Sequence, residues 1–401
     1  MMPMAEISLI RTRQELRQLI PEWTRLFYDS APPNPFAHPE WMSTWAKHYV
    51  ASDQLYVAAA RHHGELVGVV PLYLQRHRVG PKLVVSARLL GTGSDERITE
   101  LPQILIHPHA RRNTLSSLMR FLAKQEGEWD WLEFILTPDQ GWPYWVGGGL
   151  DPDVSIVHKA TRRCVVLPLP KTWHELRAGL KRNVKESIRR GVNRLSRGGH
   201  VWDIVDVIDE SLDLESALSQ LALLHRMRAQ MPEKIEHPNY LAGRHEAFYR
   251  DAVRRMFEAG HAVPTFLRVD GIPVAGRLIL QANGAVFYSL SGLDPNWWWH
   301  NTPTTLMAES LRRAIERGGT VANLSLGPDV SKLRWSEQLE MHEEFVMIGN
   351  RLRSRLAFSL FWQLRAADLL RRSRIQARIR AIAHLAQNEP RRTHARRSEP
   401  E

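Results

Sequence analysis

Two stretches of the chain share one pattern of apolar and polar positions. Residues 55–74, LYVAAARHHGELVGVVPLYL, are apolar runs rich in Val, Leu and Tyr on either side of His63-Gly64-Glu65. Residues 266–280, FLRVDGIPVAGRLIL, do the same around Asp270-Gly271. Each reads as strand, turn, strand, because a tight hairpin needs a turn residue that tolerates positive φ and Gly supplies it. Gly64-x-x-Val67-Gly68 matches Gly271-x-x-Val274-Ala275 in spacing, 207 residues further on. A strand-like segment, a helix and a last strand follow each hairpin: RLLGTG, TLSSLMRFLAKQ and WDWLEFIL, then AVFYSLSGL, TLMAESLRRAIERGG and VANLSL. Leu115, Leu118, Met119 and Leu122 form one helical stripe, and Leu306, Ser310, Leu311, Ala314 and Ile315 the other. Gly318-Gly319 stops the second helix. A repeat of this length exceeds a solenoid unit, so the pattern predicts a mixed α/β chain with two copies of one unit.

Between the copies, KTWHELRAGLKRNVKESIRRGVNRLSRGGHV places Leu176, Leu180, Val184 and Ile188 four residues apart behind Thr172 as N-cap. This predicts a helix with cationic outer faces, either solvated or forming the wall of an anion-attracting groove. A second long helix is predicted over Asp213–Met231. From residue 351 the chain is basic and amphipathic, with Leu352, Leu356, Leu360 and Leu364 on one face and Phe358, Phe361 and Trp362 among arginines. Packing on the body or adsorption to an anionic membrane surface over 351–386 would both use such a helix.

Charge adds less than its total suggests. The net charge is +11, but residues 351–401 hold 13 Arg against 4 acidic residues, leaving only +2 for residues 1–350. A nearly neutral body carries a basic tail. The single cysteine, Cys164, excludes an intramolecular disulfide and any CxxC metal site. No secretory apolar core or membrane-spanning run is present, so a cytoplasmic location is expected.

Familiar chemical signatures are missing: no GxxxxGK[ST], no GxGxxG after a strand, no GxSxG and no HExxH. The His62-His63 pair and His107-x-His109 lack further ligands at metal spacing, so no metal is expected. What remains is DPNWWWHNTPTTLMAESL, Asp294–Leu311. A strand leads through this loop to a helix starting near Pro303, with Thr302 as cap. The N–H groups of a first helical turn, with Thr304 and Thr305 adding hydroxyls, form a seat for phosphate.

Several stretches together resemble the GNAT-superfamily acyltransferases, in particular their two-lobed Fem-like branch associated with cellulose-biosynthesis CelD proteins. They are FAHPEWMSTW (36–45), GELVGVVPLYL (64–74), LALLHRMR (221–228), AFYRDAV (247–253), LRVDGIPVAGRLIL (267–280), YSLSGLDPNW (288–297), TPTTLMAESLRRAIERG (302–318) and LSLGPDVSKLRW (324–335). The resemblance covers about residues 35–340 and implies two tandem GNAT-like lobes, each a mixed sheet flanked by helices. The first, 1–165, would be degenerate, since only HPHARRNT (His107–Thr114) offers it a comparable helix entrance. The second, 166–350, would be active, and 351–401 would be the basic tail.

The resemblance also implies transfer of an acyl group, acetyl in the first instance, from acyl-CoA to a small-molecule, saccharide or peptide amine. The CoA pyrophosphate would sit at Thr302, Thr304, Thr305 and Leu306, where the branch's Ser-Pro-Gly is replaced by Thr-Pro-Thr. Ser289, Leu290 and Ser291 would line the thioester on a splayed strand. His225, or else Asp294, would act as base. Tyr288 would protonate the departing thiolate, and Lys332 would pair with a phosphate or brace the fold. Trp297, Trp298, Trp299 and His300 would flank the donor or acceptor groove. Two alternatives stay open: aminoacyl transfer from tRNA, as in Fem proteins, and a non-catalytic scaffold of the same fold at a membrane surface.

Overall fold

The structure is a computed structural model and describes residues 5–30, 34–93, 99–137, 155–209, 213–231 and 237–365. The tail beyond 365 lies outside the described residues.

The internal echo is a structural repeat. The first half runs β1 (Glu6–Ile10), α1 (Arg13–Asp29), α2 (Pro39–Tyr49), β2 (Leu55–His62), β3 (Glu65–Val79), β4 (Lys82–Leu89), a short β5 (Leu105–Ile106), α3 (Arg111–Lys124) and β6 (Trp131–Leu136). After β7 (Ser155–Pro168), α4 (Trp173–Gly179) and α5 (Arg182–Arg197), the order recurs. It runs β8 (Trp202–Asp206), α6 (Leu214–Ala229), α7 (Arg244–Glu258), β9 (Ala262–Val269), β10 (Ile272–Ala282), β11 (Ala285–Leu293), α8 (Thr302–Glu316) and β12 (Val321–Leu326). A single turn, α9 (Val330–Leu333), and β13 (Leu339–Ile348) close it. Both hairpin turns have positive φ at two successive residues, His63-Gly64 and Asp270-Gly271, the conformation a two-residue turn needs to match strand twist. Asn283-Gly284 repeats it between β10 and β11.

All thirteen of these strands join one mixed sheet, with the path β1-β2-β3-β4-β6-β13-β7-β12-β11-β10-β9-β8 and β5 paired to β3. Only β4 with β6 and β11 with β12 are parallel, and a helix crosses over in each case, α3 and α8. The two central strands are exchanged. β7, which follows the first half, pairs with β12 of the second, and β13, which follows the second half, pairs with β6 of the first. Ten residue pairs then join β13 to β7. The 165/166 division falls inside β7.

One apolar cluster spans both halves. Trp41 and Trp45 of α2 are buried against α7, where the Trp41 and Phe248 rings meet edge to face at 5.5 Å. Phe36 meets Phe287 of β11 at 6.2 Å. Burying each such ring contributes roughly 2–3 kcal/mol, so the halves are held by core packing as well as by the sheet.

Two local expectations change. The helix predicted across 171–201 is two helices, because Leu180 is extended (φ −65°, ψ 149°) and ends α4 after the cap that Thr172 does supply. At α8 the cap is Asn301, in the left-handed region at φ 53°, and Thr302 is already helical. The Thr302 hydroxyl donates to the Trp297 carbonyl instead of accepting from the helix.

Candidate active site

β11 and β12 run side by side only where Ala285–Phe287 face Val321–Asn323. Past that register they diverge, β11 continuing to Leu293 and β12 to Leu326. On its other edge β11 slips by a residue: Arg277 of β10 faces Ser291, yet Ile279 faces Tyr288. Such a bulge leaves one peptide unit outside the ladder and turns it aside. Here that unit lies within Tyr288–Ser291, at the split. Across the split, Ser325 holds φ 78° with its N–H on Asn323 Oδ1 at 2.9 Å. A serine there costs about 1–3 kcal/mol, the kind of strain that collects at functional sites.

The split opens into a cavity of about 720 Å³. α5 forms one wall, packed on the start of α8 so closely that a side chain at Gly191 would collide with Thr305 Oγ1 and approach the His300 carbonyl oxygen at 3.3 Å. Six cations line the space: Arg190 and Arg194 of α5, Arg228 of α6, Arg277 of β10, and Lys332 and Arg334 after β12. The facing carboxylates are Glu100 and Asp329.

The cations form two groups. Arg194 donates to the Trp299 carbonyl beside the α8 entrance. Burial lowers the Arg334 pKa and nearby Arg190 lowers it further, while Arg334 Nε and Nη2 are buried without a hydrogen-bond partner. Deeper in, Arg228 bonds Ser291 Oγ and Arg277 sits 5.4 Å over the Tyr288 ring. Burial pulls Arg277 down to about 10, and Arg228 adds to the effect.

Glu100 comes from the first half, between β4 and β5. It accepts from Ser289 Oγ at 2.9 Å and from the Leu326 N–H at 3.3 Å, so it bridges the diverging strands. Burial raises its pKa despite these bonds and despite Lys332. A carboxylate so raised, among hydroxyls and beside a bulged strand, is equipped to take a proton.

The expected site residues separate accordingly. Tyr288, Ser289, Leu290, Ser291, Trp298, Trp299, Thr304 and Lys332 all line the cavity. The Tyr288 hydroxyl is buried with no partner, and burial raises its pKa, which keeps it protonated. Lys332 Nζ donates to the Leu326 and Gly327 carbonyls and pairs with Asp329 at 3.2 Å, bracing the loop after β12. His225 lies behind the wall. Its Nδ1–H donates to the Ser291 carbonyl at 2.9 Å and its Nε2 accepts from the Tyr240 N–H at 3.1 Å. With both nitrogens engaged and its pKa lowered by burial, it is a neutral brace between α6, β11 and the chain at Tyr240. Asp294 caps the 3₁₀ turn Pro295–His300 through the Asn296 N–H at 3.0 Å. Thr302, Thr305 and Leu306 are buried beneath the α8 entrance. Trp297 and His300 pack on each other, with centroids 4.9 Å apart, and on His200.

Glu100, Arg228, Arg277, Arg334 and His237 were not anticipated, whereas Arg190 and Arg194 lie on the helix whose cationic face offered itself as a groove wall. His237 contributes a buried, unpartnered Nε2, and burial followed by Arg228 lowers its pKa to about 3. Arg277 carried a signal, as the one charge in the apolar run VAGRLIL.

Residues 182–333 match the family model of the acetyltransferase (GNAT) domain. The second half carries a GNAT domain. No curated protein matches the chain in sequence. The fold of the whole chain is similar to that of FemX, whose crystal structure is 13% identical with a TM-score of 0.60, covering 88% of this chain and 99% of that one. A conserved protein of unknown function from Bacteroides thetaiotaomicron VPI-5482 is 12% identical with a TM-score of 0.50, covering 86% of this chain and 100% of that one. Among the described residues no helix is long and apolar enough to cross a membrane, and no group of three or more His, Cys, Asp or Glu could hold a metal.

Proposed function

We propose that the chain is an N-acyltransferase that moves an acyl group from acyl-CoA to an amine in the β11–β12 split, with Glu100 as the base. The carrying observation is the cavity itself: a split beside a bulged strand, lined by the half-buried Glu100 carboxylate and by guanidinium groups that have no ion-pair partner among the described residues. Arg190, Arg194 and Arg334 suit the donor's phosphates. Guanidinium takes the larger part here because Pro303 has no N–H and the Thr304 and Thr305 N–H groups already reach the Asn301 carbonyl at 2.9 and 3.0 Å. Trp298 and Trp299, 40% and 76% exposed, give a flat surface at the mouth for the donor's adenine.

Glu100 takes the proton of the attacking nitrogen as the new C–N bond forms. The displaced peptide unit of the β11 bulge donates to the carbonyl oxygen as it gains charge. The C–S bond breaks with the sulfur accepting a hydrogen bond from Tyr288, and the proton held by Glu100 leaves with the thiol. Calorimetry with acetyl-CoA tests the donor: saturable heat that Arg194→Gln abolishes supports it, and no heat at any concentration removes it.

The first lobe, taken as 1–165, is proposed to be inert. Its equivalent split, where β4 leaves β6, holds Arg88–Glu133 at 2.7 Å, Lys159–Glu133 at 2.6 Å and Lys159–Glu344 at 3.1 Å. Ion pairs line this split, and the cavity left there is about 150 Å³ against about 720 Å³ in the second half. Transfer from aminoacyl-tRNA is the second reading, favoured by the exposed Arg182, Arg189 and Arg197 of α5 next to the cavity; RNA binding that falls steeply with salt would support it. In helical residues 352–365, Leu352, Leu356, Leu360 and Leu364 are all exposed at four-residue spacing, which supports peripheral contact with an anionic membrane.

A further inference from the structure

Strand β10 puts one charge, Arg277, into an apolar run that faces the cavity. Its Nε is buried with no hydrogen-bond partner, and its Nη1 has only Met307 Sδ at 3.3 Å. Among the described residues it has no ion-pair partner. A guanidinium stays protonated at neutral pH, so the charge is held inside with only the Tyr288 ring face and the field of Glu100 to offset its burial. Packing does not require it, since an unbranched apolar side chain would fill the same slot between Met307 and Tyr288. A second guanidinium makes the arrangement more costly. Arg228 bonds the hydroxyl of Ser291, the residue that faces Arg277 across the ladder. Two cations therefore flank one point of β11, two residues from Ser289 and its Glu100 contact.

These cations stand apart from Arg190, Arg194 and Arg334 at the α8 entrance, which suit the donor. They surround the place where the acceptor nitrogen must lie to reach Glu100. From this we infer that Arg277 and Arg228 bind an acid group carried by the acceptor itself. The acceptor is then a small amine with a carboxylate, or an equivalent phosphonate, close to its amino group. The inference rests on the transfer reading above and deepens it.

The test uses the full chain without donor. Its thermal shift is measured against a panel of amino acids, the corresponding amino-acid amides and aminophosphonates, and separately against CoA. At least one acid raises the midpoint, while its amide does not; a phosphonate that outdoes the carboxylate identifies the anion as phosphorus-based. Arg277→Met and Arg277→Gln weaken that acid at least about tenfold, the usual loss when a charged hydrogen bond is removed. Both keep CoA affinity within about twofold, as expected for separate sites. Ligand-free Arg277→Met melts at or above the wild-type temperature, because an inward charge without an ion pair has gone. A lower midpoint for both variants would make Arg277 a structural brace and overturn the inference. Amides binding as well as acids, or no acid binding while CoA binds, would overturn it and leave the transfer reading intact. CoA affinity lost in the Arg277 variants would reassign the anion to the donor. Acids that bind through Arg277 while CoA does not bind would sustain the inference and remove the donor.

Discussion

Ser289 Oγ lies 2.9 Å from Glu100 Oε1, so the bulged strand of one half presents its hydroxyl to a carboxylate of the other. Burial lifts the pKa of that carboxylate above its ordinary 4.5. The sign for catalysis follows: the base is inactive when protonated, so kcat/KM rises with pH through the raised value. Glu100→Gln should remove that acid limb and lower kcat by about 10²–10³, the usual share of general base catalysis. Acetyl-CoA affinity should stay within about threefold, since the phosphate contacts are elsewhere. Steady-state pH profiles of the two proteins decide it; an unshifted acid limb in the variant would assign Glu100 to bracing the strands.

Gly191 sets how closely α5 approaches the α8 entrance. Gly191→Ala pushes a methyl group onto Thr305 Oγ1 and should destabilise by about 1–3 kcal/mol, as overpacked contacts do. Urea unfolding measures the loss. Because the same displacement moves Arg190 and Arg194, acetyl-CoA should also bind more weakly, and stability lost with affinity unchanged would place the phosphates away from α5.

The ion-paired split of the first half titrates. Burial pushes Glu133 up, but Arg88 and Lys159 outweigh it and hold it at about 2. A carboxyl lowered on folding stabilises above its unfolded value of 4.5, and that stability is lost as pH falls through 4.5 toward 2. The integrated contribution is roughly 3 kcal/mol. Glu133→Gln should be less stable than wild type at pH 7 and should lose less on acidification across that window. Parallel urea curves for the two proteins across it would contradict the assignment.

Trp299 projects into solvent at the cavity mouth. Trp299→Ala should change stability by less than about 0.5 kcal/mol, as exposed positions do. Its effect should appear instead as a KM for acyl-CoA raised about fivefold or more, the scale of one aromatic stacking contact. An unchanged KM would remove the indole from the donor site.

The exposed leucines of helical residues 352–365 predict co-sedimentation with vesicles containing anionic lipid, weakening as salt rises. Changing Leu356 and Leu360 together to Ser should release the protein, and binding that survives this change would be charge-driven alone.

Local chemistry made much of this fold legible. His63-Gly64 and Asp270-Gly271 announce their hairpins because few other residues take positive φ twice in succession. The stripe from Leu306 to Ile315 marks α8 because a helix buries one face. Thr302 was misplaced by one position, since Asn301 in the left-handed region carries the chain into the helix. β7 and β13 went unseen because their partners are far away in sequence and their charges, Arg162, Lys159 and Glu344, are drawn partly out of solvent by pairing with one another. The site divides along the same line. Ser289 and Tyr288 could be placed on the cavity wall because they lie on a recognisable strand, whereas Glu100 sits in a loop whose place depends on tertiary contact. His225 attracted attention for its chemistry, and only its two hydrogen bonds reveal that the backbone has already engaged it.

The exchanged central strands also constrain how the chain must be made. β6 has no neighbour on one side until β13 is available, so the first half leaves the ribosome with an open sheet edge bearing Phe134 and Leu136. Fragments cut between the halves should therefore aggregate separately and recover when co-expressed, and native-like protection of β6 should arise only after residue 348 has been synthesised.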